Sequence, residues 1–139
     1  MIVLDTNVVS ELMRPSPAPT VVAWLGQQAR GSLATTTAVT VAEIGFGLAR
    51  SPAGRRDTQL QQVGVDVLAA FPGQVLALDA AAAALYGEIA AARERAGNPV
   101  DALDAQIAAI CRSCAATLAT RKTKDFVDTG VELLDPWGA

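Results

Sequence analysis

Met1-Ile2-Val3-Leu4-Asp5-Thr6-Asn7 opens the chain and decides how the rest is read. Met1 to Leu4 is an unbroken apolar run, too short for a buried helix and suited to a strand covered on both faces. Asp5-Thr6-Asn7 then supplies turn and cap chemistry for a short helix over Val8 to Met13. A strand buried on both faces and followed at once by a helix is the opening unit of a parallel α/β sheet.

The same alternation continues outward from that stretch. Arg14-Pro15-Ser16-Pro17-Ala18-Pro19 is a breaker cluster. Thr20 is placed to cap a helix over Val21 to Gln28, with Val21, Val22 and Leu25 inward, and Ser32 to Thr36 reads as a second strand. Thr40-Val41-Ala42-Glu43 matches the capping-box pattern and puts Glu43 in the first turn of the next helix. Ser51-Pro52-Ala53-Gly54 ends that helix, and Arg56 to Ala70 forms another, with Leu60, Val63, Val67 and Leu68 inward. Val75 to Leu78 is a third strand, and Asp79 starts a helix reaching about Ala96. Gly97-Asn98-Pro99 turns the chain into a helix over Val100 to Cys114. Thr117 to Thr120 and Val131 to Leu134 complete an expected sheet of about five strands. No repeat or linker divides the sequence, so residues 1–139 are expected to form one domain.

Composition narrows the chemistry. Hydrophobic residues make up 51% and aromatic residues only 4%, so the core must be aliphatic. The net charge of −3 argues against holding nucleic acid by bulk electrostatics, so any such contact must be local or helped by a cation. There is no histidine, which removes Ser-His-Asp and Cys-His catalysis and imidazole as a general base. Cys111 and Cys114 are one C-x-x-C pair with no second pair to complete a zinc site, and they read as small buried residues on one helix face. The start lacks a basic segment and no apolar run approaches a membrane span, so a soluble, cytoplasmic, reducing setting is expected.

The acids then stand out. Asp5 follows the first strand, Glu43 follows the second, and Asp125 lies just past the fourth. These belong at the carboxyl edge of a parallel sheet, where such folds bind ligands. Asp104, in the first turn of its helix, reaches that edge if the helix starts there. Each acid taken singly is explained by helix capping and the macrodipole. Gathered together they would repel, and a divalent cation with oxygen ligands resolves that repulsion. A cation-bound water of lowered pKa can attack a phosphodiester without any histidine.

Leu4-Asp5-Thr6-Asn7, Glu43, Asp104-Ala105-Gln106-Ile107-Ala108-Ala109, Thr120-Arg121 and Lys124-Asp125-Phe126, in that order and separation, resemble the successive motifs of PIN domains. The closing Pro136-Trp137 is also similar, and the nearest likeness is to VapC-type toxins, including the FitB-like branch. The resemblance spans essentially the whole chain. It implies a three-layer α/β/α sandwich with a mostly parallel sheet, Mg²⁺- or Mn²⁺-dependent RNA cleavage, and a homodimer. It also implies a small VapB-like antitoxin that blocks the site, often with an inserted basic side chain, and that carries the contact with operator DNA. By position it makes Asp5, Glu43, Asp104 and Asp125 the catalytic acids, with Asp5 and Asp104 on the metal and Thr6, Asn7 and Thr120 in support. Lys122 departs from the family, which often has Asn at that place.

Arg121, Lys122 and Lys124 form a basic patch suited to positioning phosphate. Asp101 reads as a helix cap, and Arg50, Arg55 and Arg56 as a solvated cluster at a helix-to-helix turn. A haloacid-dehalogenase-like phosphatase would also place an Asp after the first strand. It needs a second Asp two residues on, where this chain has Asn7. A receiver-like module or a non-cutting PIN domain would bind a cation or RNA without turnover.

Overall fold

The computed structural model describes residues 1–28, 30–31, 33–50, 55–69, 71 and 75–138, and the side chains of Arg55, Arg56, Asp57, Gln59, Leu60 and Leu68 fall outside that description. The sheet has four parallel strands in the order β2-β1-β3-β4: β1 (Ile2–Leu4), β2 (Ala34–Thr35), β3 (Thr117–Ala119) and β4 (Glu132–Leu134). Val3 pairs with Thr35 on one side and Leu118 on the other, which puts β1 in the middle. Its apolar run follows from that position, because both faces are covered: Val3 and Leu4 are fully buried.

Strand alternation divides the core between the two faces. Ile2 and Leu4 point into one cluster with Val8, Val9, Val21, Trp24 and Ile44. These come from α1 (Thr6–Leu12), α2 (Pro19–Gln28) and α3 (Ala38–Ala49), and Val67 of α4 (Arg55–Ala69) packs against them. Val3 and Leu118 point into the other cluster with Ala82, Ile89, Ile107, Ile110 and Phe126. These come from α5 (Ala80–Arg95), α6 (Ala102–Ser113) and the short α7 (Thr123–Phe126). The result is the expected three-layer α/β/α sandwich. Fully buried Leu4 and Phe126 each contribute about 2 kcal/mol or more from apolar burial alone.

Several sequence expectations need correction. The expected third strand is reduced to a single bridge, Leu76 to Thr37, held by Ala38 N–H to Leu76 O at 2.8 Å and Leu76 N–H to Thr36 O at 2.9 Å. It lies beside the edge of β2, Val75 and Leu78 are exposed, and Asp79 caps α5 directly afterwards. The ladder therefore has neither burial nor length to extend. Val22 and Val63, expected inward, are exposed, while Leu60 and Leu68 lie outside the described side chains. Helix α1 begins at Thr6 rather than Val8, with Asp5 as its cap. Gly97 takes a φ of +75°, which a side chain would resist, and so turns α5 tightly toward α6.

The strand order sets where a ligand can go. From β1 the chain crosses to β2 on one side; from β3 it crosses to β4 on the other. The crevice between the carboxyl ends of β1 and β3 is therefore the topological switch point. Asp5 and Thr120 are the residues that follow those two ends.

Candidate active site

Asp5 is 1% exposed and bridges the switch point. Its Oδ1 accepts Thr6 N–H at 2.8 Å, which caps α1. Its Oδ2 accepts the Thr120 hydroxyl at 2.7 Å and the Asn7 amide at 3.0 Å. Asn7 also donates to Thr120 Oγ1 at 3.1 Å and accepts Arg121 N–H at 3.1 Å. Asp5, Asn7 and Thr120 thus lock β1 to β3 and the loop after it. Burial pushes the Asp5 carboxyl above its ordinary pKa; the bonds from Thr120 and Thr6 oppose that, and the charge of Asp104 reinforces it. Asn7 serves as a donor to Asp5, which is not what the phosphatase reading asks of that position.

Glu43 reaches the same edge from α3. The capping-box reading of Thr40 and Glu43 fails here: Thr37 is the cap, and its Oγ1 accepts Thr40 N–H at 3.1 Å. Glu43 therefore lies in the second turn, free of any capping duty. Its Oε1 accepts the Thr6 hydroxyl at 2.7 Å. Thr6 Oγ1 is also 3.1 Å from Thr40 Oγ1, and Thr37 donates to Thr40 Oγ1 at 3.4 Å. Thr6 has one hydroxyl proton and spends it on Glu43, so Thr40 must donate to Thr6. The hydroxyls of Thr37, Thr40 and Thr6 form a directed chain ending on the carboxylate. Burial raises the pKa of Glu43 most, the Thr6 hydrogen bond lowers it, and repulsion from Asp5 and Asp104 adds to the rise. Beside Glu43 runs a largely apolar groove of about 320 Å³ lined by Ser10, Met13, Ile44 and Leu48.

Asp104 comes from the first turn of α6, one turn after Asp101, whose carboxylate accepts Leu103 N–H and caps the helix as expected. Asp104 is 5% exposed, and its Oδ2 is 2.8 Å from Lys122 Nζ. Lys122 N–H is held by Thr120 Oγ1 at 3.0 Å, so the lysine starts from the same anchor that fixes Asp5. Its ammonium also feels Asp5 and Asp125. The Lys122 side chain is 45% exposed, so solvent limits this pair to about 1 kcal/mol of stability.

Asp125 is exposed on α7 and shares a polar cleft of about 250 Å³ with Asp101, Asp104 and Lys122. Of the basic patch, Lys122 is turned onto Asp104, Lys124 is exposed on α7, and the Arg121 guanidinium lies 4.9 Å from the centre of the Trp137 ring. Arg50 lies similarly over Phe46, at 5.1 Å. Cys111 is buried, where its thiol is pushed well above the ordinary range, but Cys114 is exposed; both are free, so only half of the expected apolar pair is inside.

The sequence reading missed Arg93. It is 3% exposed, yet among the described residues its guanidinium donates only to carbonyls: Asn98 at 2.7 Å, Asp125 at 3.0 Å, and Val127. A buried guanidinium is costly unless satisfied. Satisfying this one ties the turn before Asp101 and Asp104 to the segment that carries Asp125. Its neighbours Glu94 and Arg95 are exposed, so no local pattern marks it.

Among the described residues, no three acids are gathered closely enough to enclose a metal by themselves. The donor set still suits a hard cation. Asp5, Glu43 and Asp104 are oxygen donors, and Asp5 and Glu43 are held protonation-prone by burial and by the charge of Asp104. Mg²⁺ commonly takes one or two carboxylates and keeps several waters, which an open cluster of this kind allows.

A parallel α/β/α sandwich with buried acids across its switch point defines a class of protein equipped for hydrolysis at an anionic centre. The particular family is settled by comparison: the PIN domain family matches residues 2–131, and the chain belongs to it. It is 40% identical over 138 residues to the VapC ribonuclease Y4jK of Sinorhizobium fredii, covering 99% of this chain and 98% of that one. It is 36% identical over 138 residues to the toxin FitB of Neisseria gonorrhoeae, covering 99% of each. It superposes with a TM-score of 0.87 on a chain in the structure of FitAB bound to an IR36 DNA fragment, at 36% identity, covering 99% of this chain and 96% of that one.

Proposed function

We propose that the protein is a metal-dependent ribonuclease acting as the toxin of a toxin–antitoxin pair, with residues 1–139 working as one domain. One observation carries this reading: Asp5, Glu43 and Asp104 arrive from three different elements and share one electrostatic neighbourhood at the switch point. The near full-length similarity to a VapC ribonuclease and a FitB toxin supports the substrate and the role.

Asp5 and Asp104 would hold a Mg²⁺ or Mn²⁺ ion, which supplies Lewis-acid charge and a water of lowered pKa when bound. Thr6, Asn7 and Thr120 fix the carboxylates of Asp5 and Glu43 by the hydrogen bonds described above. Glu43, with a raised pKa and Oε1 held by Thr6, is suited to orient the attacking water and take its proton. Asp125 completes the acidic rim of the polar cleft. Arg121, Lys122 and Lys124 supply local positive charge for phosphate on a chain of net charge −3.

The partners proposed are RNA as substrate, a VapB-like antitoxin as inhibitor, operator DNA through that antitoxin only, and a second copy of the chain. Among the described residues no helix is long and apolar enough to cross a membrane, and a cytoplasmic site of action is part of this proposal. The test is cleavage of a mixed RNA pool by purified, antitoxin-free protein in Mg²⁺ or Mn²⁺, with EDTA and Asp5→Asn as controls. Cutting that both controls abolish is expected. Cutting that survives Asp5→Asn would remove Asp5 from the site, and no cutting across the pool by folded protein in either metal would point to a narrow-specificity toxin or a binding module instead.

A further inference from the structure

The acidic cluster already contains a cation of its own. Lys122 Nζ sits 2.8 Å from Asp104 Oδ2, and Asp104 is 5% exposed. The same ammonium is within electrostatic reach of Asp5, Glu43 and Asp125. We propose that Lys122 is a tethered competitor for the metal: its ammonium holds Asp104 until a divalent cation displaces it, and so sets how tightly that cation is bound. This rests on the metal-site reading given under Proposed function.

Two features make the side chain suited to exchange. Its backbone is fixed, because Lys122 N–H is held by Thr120 Oγ1, which also donates to Asp5. Its stem is not enclosed: the side chain is 45% exposed, against 8% for Asp104. The ammonium can therefore leave for solvent while the carboxylate stays. An ammonium and a divalent ion sharing one buried carboxylate would repel each other at close range. A displaced Lys122 would remain at the rim of the site, free to meet a phosphate. Metal loading and phosphate binding would then favour each other.

The test is a titration with Mn²⁺ alone, following free Mn²⁺ by electron paramagnetic resonance, with no turnover measured. Lys122→Met should bind Mn²⁺ about fivefold more tightly, the scale of one solvent-screened ion pair. Lys122→Arg should stay near the parent, and Arg95→Gln, which removes an exposed charge elsewhere, should change affinity far less. In the Asp104→Asn background the gain from Lys122→Met should vanish. Unchanged or weaker binding by folded Lys122→Met would overturn the proposal. So would a gain matched by Arg95→Gln, or one that persists without Asp104. If Asp5→Asn and Asp104→Asn both bind Mn²⁺ like the parent, it is the metal-site reading that fails.

Discussion

The two flanks of the switch point handle negative charge differently. On the α1–α3 flank the described hydrogen bond to Glu43 comes from a neutral dipole, the Thr6 hydroxyl, backed by those of Thr40 and Thr37, and Glu43 borders an apolar groove. On the α6–α7 flank Asp104 is met by a full counter-charge, Lys122, inside a polar cleft. Asp5 stands between them, satisfied by donors from both directions. Hydroxyls orient a carboxylate and leave its charge in place; an ammonium cancels the charge and blocks the seat. The first arrangement suits a group that must accept a proton, and the second suits one that must exchange cations.

That contrast is open to measurement, and the acids carry the largest effects. Asp5→Asn and Glu43→Gln should each lower kcat by about 10²- to 10³-fold or more, the scale seen when one electrostatic contact to a reacting centre is lost. They should differ in binding: Asp5→Asn should weaken Mn²⁺ in the same titration, whereas Glu43→Gln should bind it close to normally. Equal losses of metal by both would erase the distinction between the flanks.

Arg93 tests whether the α6–α7 flank is positioned from behind. Arg93→Met leaves carbonyls of Asn98, Asp125 and Val127 without their donor. A loss of about 3 kcal/mol in urea unfolding is expected, within the range for breaking buried polar networks. Mn²⁺ affinity should fall as well, measured under conditions where the variant is folded, and Arg93→Lys should recover part of both. Full metal affinity in a destabilised Arg93→Met would limit the residue to a structural role.

On the opposite flank, Thr6→Val removes the only proton directed at Glu43 Oε1 among the described hydrogen bonds. That bond holds the Glu43 pKa down. The acid limb of the kcat/KM–pH profile should therefore move upward, and the rate at the parent's half-maximal pH should fall. An unmoved limb would assign that limb to another group.

The smallest effect concerns stability without metal. The folded-state pKa values of Asp5 and Glu43 are raised, so both groups favour the folded state most below their unfolded pKa values. That contribution is lost as pH rises through the raised values. Metal-free protein should lose stability from the ordinary carboxylate range upward, and saturating Mn²⁺ should reverse the trend. Denaturant unfolding between mildly acidic and neutral pH would show it; stability that climbs with pH in metal-free protein would contradict it.

Much of this was legible in the sequence, and the reasons differ residue by residue. The apolar run before Asp5 is a direct record of a strand buried on both faces, and the order of acids after strands points to the carboxyl edge where the structure brings Asp5, Glu43 and Asp104 near one another. Glu43 reaches that edge, but the capping box that singles it out in the sequence is not formed. The segment holds threonines at 35, 36, 37 and 40, and which one caps α3 depends on where β2 stops pairing. The Leu76 ladder was overestimated because an apolar run does not say whether a neighbour will cover it. Arg93 was invisible because its acceptors lie 5, 32 and 34 positions away, and its own neighbours are ordinary surface charges. Contacts across such distances leave no periodic trace.

The bond between Asp5 and Thr120 spans 115 positions, and it carries a consequence for biosynthesis. The central strand β1 is made well before its β3 partner. Until β3 emerges, β1 has among the described strands only the two-residue β2 to pair with, and Asp5 lacks its bond from Thr120. Contacts so distant along the chain form late and slowly. A nascent chain would therefore carry Asp5 without the rest of the centre until the residue 115 positions further on has been made.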